Sequence, residues 1–199
     1  KTKKAKARKK PRKTRKKIRK KNTKTFSKKD YNSKDGMLTS VWGPSFWHTL
    51  HVISFNFPVS PSKKDKKDYR EFIMSLKNIL PCGICRKNLT RNLKTCPLTN
   101  TDLKSRDNFS KWMYNLHELI NKMLNKTSNL TYNDVKDRYE NFRSRCTIDI
   151  KLKNKEDGCT SPLYGKKAKC LLRIVPDEKK VKTMKIDRKC IKTRIKQNY

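Results

Sequence analysis

The chain has 199 residues, with 54 Lys or Arg against 17 Asp or Glu, and 33% of its residues are hydrophobic. This length suits one domain with appendages, and the formal charge of +37 predicts a polyanionic partner. No run approaches the roughly 20 apolar residues that a membrane helix needs, and the start lacks the apolar stretch of a secretory signal. We therefore exclude collagens, repeat arrays and membrane spans, and expect a protein that is not secreted.

The first 36 residues predict a basic arm. Residues 1–29 hold 18 Lys or Arg and no acidic residue, so their charges repel and they cannot bury a core. We expect this arm to be disordered alone, or ordered by a partner. Nucleic acid is the first candidate partner, through phosphate contacts, and an acidic protein surface such as the inside of a shell is the second.

From Val41 onward the apolar residues recur at helical spacing. Pro44 suits the first position of a helix. A second periodic stretch, residues 69–80, ends before Pro81, so that Cys82 and Cys85 open the next helix. A third stretch covers residues 108–126. A fourth begins at Tyr132 and carries the stripe Val135, Tyr139 and Phe142.

These stretches predict an all-α fold for residues 37–146, a small bundle of four helices plus a short fifth helix. Residues 147–199 form a basic C-terminal extension. Within the extension, residues 147–153 and 169–175 have strand-like patterns, although the charge density is high.

The sharpest chemical motif is Cys82-Gly83-Ile84-Cys85. Two cysteines at this spacing can close a small ring, and a helix N-terminus favours the thiolate. Half of a zinc site is one alternative, but it needs a second close pair of ligands, whereas the other five cysteines are isolated. A thioredoxin-type motif is another, but it would follow a strand rather than a helix. We expect no metal.

Aromatic and imidazole rings accompany the cysteines. All three tryptophans and all three histidines fall inside the predicted bundle. Such rings could sandwich a flat cofactor. Taken singly, each such residue is more often an ordinary core or hydrogen-bonded residue.

The pattern as a whole resembles the Erv/ALR family of FAD-dependent sulfhydryl oxidases. The family's Trp-x-x-x-His before an aromatic-Pro pair is matched by Trp47, His51 and Phe57-Pro58. Its Pro-Cys-x-x-Cys turn is matched at residues 81–85. Its long helix is matched by Ser105, Arg106, Phe109, Trp112, His117, Asn121, Leu124 and Lys126.

Five positions depart from the family pattern. Tyr114 occupies the place from which many members form a disulfide to the last helix. Asn115 stands where several members have histidine, and Glu118 replaces a common asparagine. The last helix has Tyr139 and Phe142 where relatives often carry tryptophan.

The resemblance implies noncovalent FAD, a homodimer and a dithiol relay. It implies that Cys82 exchanges with a protein dithiol or a thioredoxin-like carrier, that Cys85 lies nearer the flavin, and that oxygen becomes hydrogen peroxide. The implied cofactor-binding residues are Gly43, Trp47, His51, His117, Asn121, Lys126 and Tyr139.

Family members often keep a second cysteine pair on an arm, and Cys159 with Cys170 is the candidate shuttle here. Inert C-terminal cysteines are the alternative, and Cys96 with Cys146 could be structural or unpaired. Because the family also occurs in large cytoplasmic DNA viruses, we expect a cytoplasmic protein, associated with virions if viral. The alternative function is a structural virion protein that binds capsid or DNA on the oxidase fold.

Overall fold

The computed structural model describes residues 27–33, 35–145, 159, 161–163, 168–176, 178, 179 and 181. The chain divides into two compact units, Lys1–Ser33 and Lys34–Tyr199. In the first unit, helix α1 covers Lys28–Tyr31, where Ser27 and Asp30 form a reciprocal capping box. Residues 1–26, which carry most of the predicted basic arm, lie outside the described residues.

The second unit is helical, as the sequence predicts. Its helices are α2 Thr39–Phe55, α3 Lys63–Ile79, α4 Gly83–Thr95, α5 Arg106–Met123 and α6 Tyr132–Glu140. The four longer helices and the short α6 match the predicted bundle. Two short strands, β1 Ser144–Arg145 and β2 Ser161–Pro162, pair in antiparallel register with Ser144 opposite Pro162. None of the described helices is long and apolar enough to cross a bilayer.

The core lies where α2 packs against α5 and α3 packs against α4. Phe57, Leu103, Phe109 and Met113 have no exposed surface. Burying each such side chain contributes about 1.5–3 kcal/mol, so these contacts set the helix arrangement. The buried cluster comprises Leu50, Phe57, Ile73, Leu76, Leu80, Leu89, Leu93, Leu98, Leu103, Phe109, Trp112, Met113 and Leu116.

Short polar side chains fix the helix starts. Ser62 with Asp65 and Thr131 with Asp134 form capping boxes at α3 and α6. Ser105 caps α5 by accepting the amide of Asn108. Each cap satisfies amides that the first helical turn leaves without partners, and so it determines where its helix begins.

Two of the predicted boundaries are wrong. α2 begins at Thr39, so Pro44 lies inside the helix rather than at its first position. The helix tolerates this because the lost hydrogen bond falls on Ser40, which is exposed and can bind water. Phe142 lies beyond α6, which ends at Glu140 with Asn141 as its cap.

The C-terminal extension differs from its sequence pattern. Residues 169–175 were predicted to be strand-like, but they form neither helix nor strand. Leu171 and Ile174 are 68% and 69% exposed, so within the described part of the chain their apolar side chains do not pack against a sheet. Residues 147–153 lie outside the described part of the chain.

Candidate functional site

A disulfide joins Cys82 to Cys85 at the start of α4, as the motif predicts, with the two Cα atoms 5.1 Å apart. Cys82 is the N-cap residue, and its sulfur accepts the Cys85 amide at 3.2 Å. The free amides of a first helical turn and the positive end of the helix dipole stabilise a thiolate there. The reduced pair is thus set up for thiol–disulfide exchange.

A short segment, Asp35–Met37, lies along the turn that precedes the disulfide. The Met37 amide donates to the Pro81 carbonyl at 2.6 Å, and the Gly83 amide donates to the Asp35 carbonyl at 3.2 Å. The sequence places Asp35 and Gly36 in the basic arm, whereas the structure pairs this segment with the cysteine motif. Backbone pairing of this kind has no side-chain signature, so the sequence pattern could not reveal it.

Gly36 makes this close approach possible. Its φ is +95°, a conformation that side chains rarely adopt, and a Cβ atom there would lie 2.3 Å from the Pro81 oxygen. Trp42 supports the segment from α2, because its indole N–H donates to the Met37 carbonyl at 3.1 Å. The cysteine turn is therefore held from outside by chain that precedes α2.

Helix α2 connects the disulfide to a second cluster of functional side chains. Cys85 packs against the buried core, and the Thr39 hydroxyl donates to its sulfur at 3.5 Å. Thr39 is the first residue of α2, and Trp47 lies eight residues further, a rise of about 12 Å along the helix axis. One rigid element thus carries a contact to the inner cysteine and the start of an aromatic cluster.

That aromatic cluster joins α2, α5 and α6. The rings of Trp47 and His117 are stacked, with centroids 3.9 Å apart and planes within 3°. His51 Nε2 and His117 Nδ1 share a hydrogen bond of 2.9 Å. Tyr139 stacks on His51, and the centroids of their rings are 5.1 Å apart. Four of the predicted cofactor-binding residues therefore meet in one place.

Burial keeps the imidazoles of this cluster uncharged. It lowers the pKa of His51 to about 3, with smaller contributions from His117 and His48, and the pKa of His117 to about 4. It also raises the pKa of the Tyr139 phenol to about 12. His51 is only 4% exposed and its Nδ1 atom has no hydrogen-bond partner in the described structure. A buried nitrogen without a hydrogen-bond partner lowers the stability of the fold unless a bound ligand supplies that partner.

The profile of the Erv1 / Alr family matches residues 44–140, the stretch that holds both the disulfide and the aromatic cluster. A probable FAD-linked sulfhydryl oxidase of Acanthamoeba polyphaga mimivirus is 36% identical over 96 residues, 48% of this chain and 66% of that protein. The FAD-linked sulfhydryl oxidase of an African swine fever virus isolate is 34% identical over 99 residues, 50% of this chain and 80% of that protein. The chain belongs to the Erv1 / Alr family.

The yeast Erv1 core is a solved structure similar to this chain, with a TM-score of 0.47 and 23% sequence identity. The match covers 60% of this chain and 94% of that one.

The other predicted cofactor residues of this family member lie at the ends of the same helices. Gly43 is buried in α2, one turn before Trp47. Asn121 follows His117 by one turn of α5, and its side-chain amide donates to Glu118 at 3.0 Å. Lys126 follows the helix end, is exposed, and is close enough to contribute to the lowered His117 pKa.

Three rings outside the predicted cofactor-binding set also contact Tyr139. His48 Nδ1 shares a hydrogen bond of 3.3 Å with the Tyr139 hydroxyl. Phe55 stacks on Tyr139 at 5.3 Å with planes within 6°, and Phe142 meets it edge-on at 5.9 Å. His48, His51 and Phe55 recur at i, i+3 and i+7 along α2, so the helical period is the signal that could have placed His48 and Phe55 beside His51.

The candidate shuttle cysteines are not joined to each other in this structure. Cys170 is a free, exposed cysteine, while Cys159 is disulfide-bonded. Cys96 is free and half-buried, and burial raises the pKa of its thiol. Cys146 and Cys190 lie outside the described residues. A shuttle role for Cys159 and Cys170 stays a prediction.

No group of three or more His, Cys, Asp or Glu side chains in the described ranges has the arrangement of a metal site. The three histidines instead use their ring faces and nitrogens within the aromatic cluster. The site as described thus consists of a disulfide at a helix start and a buried, uncharged ring cluster, connected through α2.

Proposed function

We propose that this protein is an FAD-linked sulfhydryl oxidase that forms disulfides in protein thiols. The observation that carries the proposal is the link through α2 between the Cys82–Cys85 disulfide and the cluster of Trp47, His51 and His117. The names of the viral relatives and of similar plant and yeast proteins, all FAD-linked sulfhydryl oxidases, support it.

The residues of the aromatic cluster fit a flavin dinucleotide. Its flat rings offer stacking surfaces, and the neutral histidines suit an uncharged planar partner. The buried Nδ1 atom of His51 has a hydrogen-bonding position to fill. Lys126 would meet the phosphates as an exposed cation, and Gly43, Asn121 and Tyr139 complete the proposed set. FAD in this place would accept an electron pair from the cysteine dithiol and pass it to oxygen.

The cysteines perform the exchange half of the proposed reaction. A thiolate of the substrate dithiol attacks the Cys82 sulfur, which breaks the Cys82–Cys85 bond and forms a mixed disulfide. The second substrate thiol then attacks the mixed disulfide, so the substrate leaves oxidised and both cysteines become thiols. Cys85 suits the inner role, because it packs against the core and contacts Thr39.

The finer parts of the proposal concern the acceptor and the partners. Oxygen would accept the electrons and yield hydrogen peroxide, so that two thiols and one oxygen molecule give one disulfide and one peroxide. The substrates would be protein thiols or a thioredoxin-like carrier, and the protein would act as a homodimer. The 18 basic residues in residues 1–29 would bind nucleic acid or an acidic capsid surface.

The relatives from mimivirus and African swine fever virus favour a viral source. In that case, the protein would work in the cytoplasm and be carried in virions. The matches support an oxidase, and the alternative of a purely structural virion protein gains no support from them.

A visible absorption spectrum tests the proposal directly. The purified full chain should show a flavin spectrum that bleaches on anaerobic addition of dithiothreitol and returns, with peroxide formation, when air is readmitted. A folded protein that stays colourless after FAD is offered would refute the proposal.

A further inference from the structure

Helix α4 carries a stripe of basic side chains that begins beside the active-site disulfide. Lys87, Arg91 and Lys94 are exposed and recur at helical spacing, so they lie along one face of the helix. Ile84, between the two cysteines, is 71% exposed and lies at the N-terminal end of this face. From Ile84 to Lys94 the stripe runs about 15 Å along the helix axis.

These charges lack the acidic partners that other helices provide. α4 contains no Asp or Glu, whereas Lys64 and Lys67 on α3 pair with Asp68 and Glu71. Within the described part of the chain, no carboxylate forms an ion pair with any of the three stripe residues, and Arg91 instead donates to Asn88. Unpaired cations on one face raise the local concentration of anions.

The fourth basic residue of α4 has a different use. The Arg86 guanidinium donates to the Leu80 carbonyl, at the end of α3. It thereby supports the turn that holds the disulfide. The three stripe residues make no such contact to the preceding turn, which leaves their charges available to a partner.

We propose that the stripe of Lys87, Arg91 and Lys94 docks an acidic segment of the protein whose dithiol is oxidised at Cys82. The proposal rests on the proposed oxidase function and adds that the substrate protein carries a negatively charged segment. A segment bound along α4 has its cysteines delivered to the helix start, where Ile84 provides an apolar contact next to the disulfide. Asp35–Met37 already occupies the Pro81 carbonyl and the Gly83 amide, so a substrate segment would approach the disulfide along α4.

The test compares two dithiol peptides of equal length and cysteine spacing, one with acidic and one with neutral flanks. The variant K87Q/R91Q/K94Q removes the stripe. The control K63Q/K104Q/K111Q removes three exposed charges from other parts of the molecule, so both variants have the same net charge. Both are made in the full chain, which keeps the attraction of the basic arm the same.

Two readouts are measured. The first is kcat/KM for each peptide, from oxygen consumption. The second is the anaerobic rate at which each peptide reduces the Cys82–Cys85 disulfide, which needs no flavin turnover. We expect the stripe variant to lower both values for the acidic peptide about tenfold at low salt, and the control variant to lower them about twofold or less. High salt should remove the difference.

The outcomes separate this inference from the proposed function. A wild-type protein that does not oxidise dithiothreitol refutes the oxidase. Normal dithiothreitol oxidation with equal losses in the two variants overturns the docking proposal alone. It is also overturned if the stripe variant keeps its preference for the acidic peptide but loses affinity for duplex DNA, because the stripe would then bind nucleic acid.

Discussion

The disulfide and the aromatic cluster, which form the two ends of the proposed electron path, differ in charge and in exposure to water. At the disulfide, Cys82 and Cys85 are half-buried, the helix start favours thiolates, and an exposed isoleucine lies between the cysteines. At the aromatic cluster, His51 is 4% exposed and burial keeps the imidazoles neutral. A group that must meet a protein substrate is left accessible, while a group that would hold a flat cofactor is kept dry. Four predictions test whether this division holds.

The largest effect is expected at the inner cysteine. Cys85→Ser should lower turnover of dithiothreitol about a thousandfold or more, since no internal disulfide can form. The flavin spectrum of the purified variant should remain, because the substitution leaves the aromatic cluster intact. Cys96→Ser is the matched control and should retain activity, since Cys96 is a free cysteine outside the motif. Unchanged turnover in Cys85→Ser would contradict the proposed relay.

The next largest effect is expected in the cluster itself. His117→Ala removes the ring that stacks on Trp47 and the hydrogen bond to His51, so flavin affinity should fall about a hundredfold. The ratio of flavin to protein absorbance after dialysis measures this loss. Tyr114→Phe, on the same helix, should retain the cofactor, because it removes only a hydrogen bond to the Leu130 carbonyl. Equal retention in both variants would place the cofactor elsewhere.

The pH dependence of the free energy of unfolding tests the aromatic cluster alone. In the unfolded chain histidine titrates near pH 6.5, whereas the folded pKa values are about 3 for His51 and about 4 for His117. Between these pH values the unfolded state binds more protons than the folded state. The contribution of the two histidines to the free energy of unfolding is therefore fully present above pH 6.5 and is lost as the pH falls. We expect the free energy of unfolding to drop by about 2 kcal/mol or more between pH 7 and pH 5.

Denaturant unfolding at the two pH values measures this loss. The lower pH should be no lower than 5, because the capping carboxylates of Asp30 and Asp65, whose pKa values the hydrogen bonds from Ser27 and Ser62 lower, stay ionised there. In a His51→Asn variant the pH dependence should shrink, because one of the depressed histidines is gone. A variant with the full dependence would show that His51 is not the residue responsible.

The smallest effect is expected from substitution of two glycines, Gly36 beside the cysteine turn and Gly43 inside α2. Gly36→Ala should destabilise the fold by about 1–3 kcal/mol, because the new methyl group clashes with the Pro81 carbonyl and φ is positive. Gly43→Ala should instead be neutral or stabilising by up to about 1 kcal/mol, since its Cβ atom meets only Thr39 at 3.4 Å inside a helix. Unfolding midpoints in urea compare the two. A Gly36→Ala variant as stable as the wild type would show that Asp35–Met37 contributes nothing to stability.

The sequence alone predicted much of the fold and of the site. Periodic apolar residues locate the bundle, and the cysteine motif locates the start of α4, because both depend on spacing within one helix. Four aromatic or imidazole residues of the cluster followed from the family resemblance and do meet. The predicted start of α2 is too late, because Pro44 is a residue typical of a first helical position but lies inside this helix.

Contacts between distant segments escaped prediction. The pairing of Asp35–Met37 with the cysteine turn uses backbone atoms, and every residue has those. The helical period places Phe55 on the same face of α2 as His51, but its stacking on Tyr139 depends on how α2 and α6 cross, which no local pattern records. The strand-like pattern of residues 169–175 misled because β-propensity depends on a neighbouring strand to pair with.

The sequence distances within the site bear on the order of assembly during synthesis. Cys82 and Cys85 are three residues apart and close their ring by local contacts. The aromatic cluster instead joins residues 66 and 91 positions apart, His51 to His117 and His48 to Tyr139. On the ribosome, the cysteine turn can therefore form while α5 and α6 are still unmade. The nascent chain has both sulfur atoms of its redox pair in place before it has anywhere to hold a cofactor.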